Sequence, residues 1–184
     1  GYTLQISHTW SKAMEATTFL NAFDRMPYES LGDIDRAHRY TGSGIWELPF
    51  GKGKKYGSSM HRVVEFFAGN WQLNGVYQHQ SGAPLGWGQI LYTGASSDIA
   101  LTSPNRGADR WFNTDVFYKN NQQQLASNVR THPLRFSNVR ADSQRRWDFG
   151  IVKTFKINER YQVKFRADTF NALNEVVLRG PDTN

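Results

Sequence analysis

The chain of 184 residues contains no cysteine. That single absence excludes disulfides, thiolate metal sites and cysteine nucleophiles together. No apolar run approaches the roughly 18 residues that a membrane-spanning helix needs, so any passage through a bilayer would have to be made by strands. Histidines are few, and His8, His38, His61, His79 and His132 never fall at i, i+2 or i, i+4 spacing, so no metal site is indicated. The nucleophile-elbow pattern GxSxG is missing around Ser81-Gly82, and the turn Gly51-Lys52-Gly53-Lys54-Lys55 lacks the spacing of a phosphate-binding loop. Asp33 and Asp35 lie on a loop, where solvated charges are expected rather than an acid–base pair. The expectation is a chain with no catalytic residue, no metal and no cofactor, hence not an enzyme. It opens on Gly1-Tyr2-Thr3, already inside a strand pattern and without a basic or apolar leader, and is read as lacking its original start.

What is present is aromatic and polar at once. Aromatic residues make up 14% of the chain, yet the mean hydropathy is -0.63. A sheet with one apolar face and one wet face reconciles the two. The stretch from Arg145 to Asn174 organises the rest. Its second arm sets Tyr161, Val163, Phe165 and Ala167 against Gln162, Lys164, Arg166 and Asp168, the two-residue period of a strand. Its first arm sets Trp147, Phe149, Ile151, Phe155 and Ile157 against Asp148, Gly150, Thr154 and Lys156, and the polar turn Ile157 to Arg160 joins the arms. The same alternation runs through residues 1–12, about 38–50, with Gly42 and Gly44 marking a bulge or bend, and 70–81. Val63, Val64, Phe66 and Phe67 precede the last of these and either lengthen that strand or form an apolar lead-in to it. Between the strands lie long loops, about 13–37 with a short helical turn near Met14 to Phe19, and about 82–145 with a Gln/Asn tract from Asn120 to Gln124. Strands of about ten residues with aromatics near their ends, a polar opposite face and long connections predict an all-β antiparallel meander, part of an outer-membrane β-barrel. About five spanning strands are fewer than the eight of the smallest single-chain barrels, so the barrel is expected to be incomplete within this chain. The net charge of +6 is scattered rather than clustered and accompanies no reader motif, so nucleic acid is not an expected partner.

Several segments in order carry a family resemblance. They are GYTLQISHTWSK at 1–12, WELPFGKG at 46–53, NWQLNGVY at 70–77, QSGAPL at 80–85, RWFNT at 110–114, and WDFGIVKTFKI followed by FRADTFNALN. Together they resemble the C-terminal part of the barrel of Oar-like TonB-dependent outer-membrane receptors, large proteins with a carboxypeptidase-regulatory-like domain. The resemblance implies that residues 1–184 are one barrel segment in the bacterial outer membrane. It implies a receptor that binds and imports a bulky solute, with outer-membrane lipid around it. It also implies a TonB energy-coupling complex acting through a plug, which nothing in this sequence resembles.

Two groups of residues become ligand candidates. Arg110, Trp111 and Asn113 place a cation, an indole and an amide together on the long loop, suited either to stacking on a sugar or peptide or to anchoring that loop. Lys164, Arg166 and Asp168 would face the lumen, guiding a ligand or pairing with a plug. Trp10, Trp46, Trp71 and Trp147 near strand ends are expected at the membrane interface. The rival reading is a secreted soluble β-sandwich that binds carbohydrate, which would hide its tryptophans mid-strand in the core.

Overall fold

The computed structural model describes residues 1–102, 104–118, 120, 129–181 and 183. In chain order its elements are β1 (Tyr2–Trp10), β2 (Met14–Glu15), β3 (Ser30–Leu31), β4 (His38–Glu47), α1 (Arg62–Ala68), β5 (Trp71–Gln80), β6 (Pro84–Gly86), β7 (Arg135–Arg140), β8 (Gln144–Lys156) and β9 (Gln162–Thr169). The chain divides into two compact units, one of Gly1–Thr9, Arg39–His79 and Arg145–Val176, the other of Trp10–His38, Gln80–Gln144 and Val177–Asn184.

The first unit is built on a five-stranded sheet in the order β1-β4-β5-β8-β9, a meander in which each strand lies beside the next one in sequence. Every step is antiparallel: the Glu47 N–H at the end of β4 donates to Gly1 before β1, and the Leu48 N–H just past β4 donates to Trp71 at the start of β5. Thr154 near the end of β8 likewise donates to Asn70. β8 and β9 pair from Phe149↔Thr169 to Lys156↔Gln162 without a shift. Residues directly opposite in such a ladder share a face. Phe149, Ile151, Lys153 and Phe155 therefore lie with Thr169, Ala167, Phe165 and Val163, while Gly150, Val152 and Thr154 lie with Asp168, Arg166 and Lys164.

The apolar face continues across the unit. Tyr77 packs 4.3 Å from Trp147, and His8 stacks on Tyr40 at 4.2 Å. Gly42, Gly44 and Gly75 fall side by side on this face and leave a hollow of about 670 Å³ between Leu4, Ile6, Tyr40, Tyr77 and Trp147. Gly42 and Gly44 lie within the span of β4, and with no side chains of their own they thin this face of the sheet. Lys153 departs from the pattern, being a charged residue in an apolar row. It is 2% exposed, lies 5.2 Å from the Trp71 ring centre and 5.4 Å from that of Phe155, and donates to the Gly69 carbonyl.

The second unit holds most of what the sequence showed only as loop. β2 pairs with β3 and β6 with β7, so the helical turn expected near Met14 is strand instead. Its core is Leu85, Trp87, Ile99, Phe112, Phe136 and Val139. Trp87 stacks on Phe117 at 5.1 Å and meets the rings of Phe112 and Phe136 edge-on. Short 3-10 turns at Ser96–Ile99 and Thr114–Val116 place Ile99 and Phe112 in that core. Gly82 is fixed by proximity, since a Cβ there would strike the Ala141 carbonyl oxygen. The Gln/Asn tract lies outside the described residues from position 121 onward.

Phe136 is 4% exposed and meets Trp87, Tyr92 and His132. Phe136→Ala is expected to destabilise this unit by about 3–5 kcal/mol. Limited trypsin digestion is the check, with cleavage at Arg130, buried in the intact unit, appearing at lower denaturant in the variant.

Candidate functional site

The polar face of the sheet is the first candidate surface. Arg166 and Asp168, two residues apart on β9, form a two-point pair in which Nε donates to Oδ2 at 2.8 Å and to Oδ1 at 3.0 Å. On β8 the Arg146 Nε donates to Asp148 Oδ1 at 2.8 Å in the same way. The absence of a side chain at Gly150 makes room for Asp168, because a Cβ there would stand 2.5 Å from Asp168 Oδ1 and 3.5 Å from Asn74 Nδ2. Gln72 donates to Asn74 at 2.8 Å, so amides continue the row on β5. Lys164 lies opposite Thr154. Of the lumen candidates, Arg166 and Asp168 are thus brought together and Lys164 shares their face. The arrangement offers hydrogen-bond donors and acceptors whose charges are largely matched within one strand.

Arg110, Trp111 and Asn113 meet a different fate. The Trp111 indole N–H donates to the Arg140 carbonyl at 2.7 Å, and the Arg106 guanidinium covers its ring at 4.2 Å. Arg110 pairs with Asp115 at 2.8 Å, and Asn113 both caps the turn at Thr114–Val116 and donates to the Asp98 carbonyl at 3.1 Å. All three anchor their loop, which is the second of the two roles expected for them.

A polar crevice of about 430 Å³ lies elsewhere in the second unit, lined among others by Lys12, Glu29, Ser30, Arg135, Ser137 and Asn138. Sequence reasoning missed it, since its residues come from four separate segments. Arg135 in its lining is held by an ion pair, and a second pair lies in the same unit. Arg135 Nη1 meets Glu15 Oε1 at 2.5 Å and the Leu31 carbonyl at 2.8 Å. Asp35 is 1% exposed, accepts from the Ala13 N–H at 2.7 Å and pairs with Arg140 Nη2 at 2.6 Å. The expectation of a solvated Asp35 is therefore corrected, because folding of the surrounding loops buries it against a guanidinium. Burial alone would raise its carboxyl, but the Ala13 N–H, Arg140 and Arg36 outweigh burial and hold it below its ordinary value. His132 is pushed the other way, toward neutrality. Burial lowers its pKa, the Pro133 carbonyl opposes this, the Arg130 charge adds to it, and the Ile90 carbonyl opposes it again.

Among the described residues no cluster of three or more His, Asp or Glu is placed to hold a metal ion, and no helix is long and apolar enough to cross a membrane. The four tryptophans expected at the interface lie at or near strand ends. Trp46 and Trp71 sit at the end of β4 and the start of β5, whereas Trp10 ends β1 and Trp147 lies near the start of β8. Trp10 is 78% and Trp46 50% exposed. An unclosed antiparallel meander, apolar and aromatic-edged on one face and amide-lined on the other, is a wall of a transmembrane β-barrel.

The chain belongs to the outer membrane beta barrel domain family, whose model matches residues 1–184, and its place is the bacterial outer membrane. Comparison with curated proteins and with solved structures finds no match. Family membership, together with the exposed tryptophans, removes the soluble carbohydrate-binding sandwich.

Acid is expected to loosen the second unit in two stages. His132 binds protons less readily folded than unfolded, so its contribution falls as pH drops below the ordinary value of 6.5. Asp35, with its folded pKa depressed, contributes above 3.8 and loses that contribution as pH falls through its lower folded value. In a pH-dependent hydrogen-exchange experiment, His132→Phe should remove the first stage and leave the second. Asp35→Ala strands Arg140 and should cost about 3–5 kcal/mol at neutral pH.

Proposed function

We propose that this chain is a wall segment of a TonB-dependent receptor of the Oar-like kind, one that binds a bulky solute outside the cell and imports it. The observation that carries the reading is a five-stranded wall that does not close while its inward face is polar. Five strands suit one side of a large barrel with a wet interior better than a small filled one. The ordered sequence likeness to the C-terminal barrel region of such receptors points the same way.

In this reading the tight connection between Lys156 and Gln162 faces the periplasm, and the connections 11–37 and 81–143 face outward, as short turns and long loops do in these barrels. The crevice beside Ser137 and Asn138 captures the solute through hydroxyls, an amide and mixed charge. On the sheet, Arg166, Asp168 and their amide neighbours line a solute's route or meet the plug. An inner-membrane energy-coupling complex acts through that plug, and no covalent step is involved.

Cells with and without the full-length protein should differ in the solutes they remove from the medium, and a protonophore should abolish the difference. Uptake indifferent to the protonophore would sink the energy-coupled reading in favour of a passive channel. Ser137→Trp fills the crevice and should weaken solute capture about tenfold, roughly 1.4 kcal/mol, with barrel assembly intact.

A further inference from the structure

Helix α1 is a seven-residue helix without a buried residue. It is nevertheless fastened to the sheet. The Phe66 ring lies 4.9 Å from Phe155, and Gly69, which ends the helix, receives the Lys153 ammonium on its carbonyl. Phe155 and Lys153 both belong to the apolar face of the wall. The helix therefore lies on the outside of the wall, over the side that meets lipid.

Its own surface continues that side. Val63, Val64, Phe66 and Phe67 form one broad stripe at helical spacing, and all four are half or more exposed. Water is a poor neighbour for such a stripe, whereas an acyl boundary is a good one. Trp46 and Trp71 lie at the same end of the sheet, the level at which indoles mark the headgroup zone. Cations flank the stripe. Lys52 and Lys54 are paired with Glu65 and Glu47, while Arg62 opens the helix and Lys55 lies over the Tyr56 ring at 5.2 Å.

We propose that α1 is an interfacial anchor whose stripe enters the periplasmic leaflet, with Arg62 and Lys55 on the phosphates of an anionic glycerophospholipid. An apolar helix face with basic flanks is the form that surface-lying membrane helices take. The same helix solves a second problem, since its terminal carbonyl and the Trp71 and Phe155 rings hold the Lys153 charge out of the hydrocarbon. Contact with lipid follows from the outward face alone; the choice of leaflet rests on the orientation given under the proposed function.

The test uses the full-length protein in phospholipid nanodiscs. This region has no cysteine of its own, so once any cysteine elsewhere in the full-length protein is replaced, an environment-sensitive dye on Phe67→Cys reports from one place, and Glu159→Cys in the tight turn at the same end serves as control. The Phe67 label should be quenched by lipids brominated near the headgroup, at a depth of about 5–10 Å, and be shielded from aqueous iodide, with the control reversed. Replacing phosphatidylcholine by phosphatidylglycerol should deepen the quenching, and Arg62→Gln or Lys55→Gln should reduce that preference up to roughly fivefold each. Val63→Cys gives the same readout if Phe67→Cys fails to assemble. Iodide reaching both labels equally would overturn the anchor. Shielding from iodide without bromolipid quenching would overturn it too, and would name a protein as the cover. Equal quenching in both lipids would remove the anionic headgroup. None of these readouts needs transport, so lost uptake with intact lipid quenching would count against import alone.

Discussion

Inside a bilayer a peptide group has no water to turn to, so every N–H and C=O of a spanning strand must be taken by a neighbouring strand. The meander order satisfies that demand for β4, β5 and β8 on both sides. It also forces the two-residue period to be kept, because a one-residue slip would exchange the lipid face for the lumen face throughout a strand. The unshifted pairing of β8 with β9 shows how closely this is held. The outer edges of β1 and β9 carry the same obligation, met in a barrel by further wall.

That constraint is also why the wall was legible in the sequence. The alternation at 1–12, 38–50, 70–81 and through the 145–174 hairpin corresponds to β1, β4, β5, β8 and β9, each within a few residues. Position-by-position period sufficed, since each strand has one dry face and one wet one. Helix α1 escaped because seven residues with a stripe of Val and Phe look the same as an apolar strand end. Lys153 escaped because nothing local distinguishes a lysine held under a helix end from one on a wet face.

The second unit was much less legible, for a physical reason. Its core gathers residues from four separate stretches, and its strands have two to six residues, too short for a period to declare itself. Its fasteners are side chains that reach across the sequence. Asp35 reaches Arg140, Glu15 reaches Arg135, and the Asn21 amide exchanges two hydrogen bonds with the Arg130 backbone. Composition shows acids and bases in these loops but not which will meet. For the same reason the motif of Arg110, Trp111 and Asn113 left both of its expected roles open, as the partners it meets in the fold, Arg106, Asp98 and the Arg140 carbonyl, are invisible from the motif itself.

Arg146 with Asp148 and Arg166 with Asp168 are each paired along one strand, two residues apart. Electrically, each pair is a short dipole lying on the wall rather than a charge standing on it. The field of such a dipole dies away faster than that of a lone ion, and salt shortens it further. A solute in the middle of the bore would feel little from these residues, while one sliding along the wall would meet alternating donors and acceptors. If a solute does pass this wall, as proposed, these two pairs would act on it by touch rather than by a long-range pull.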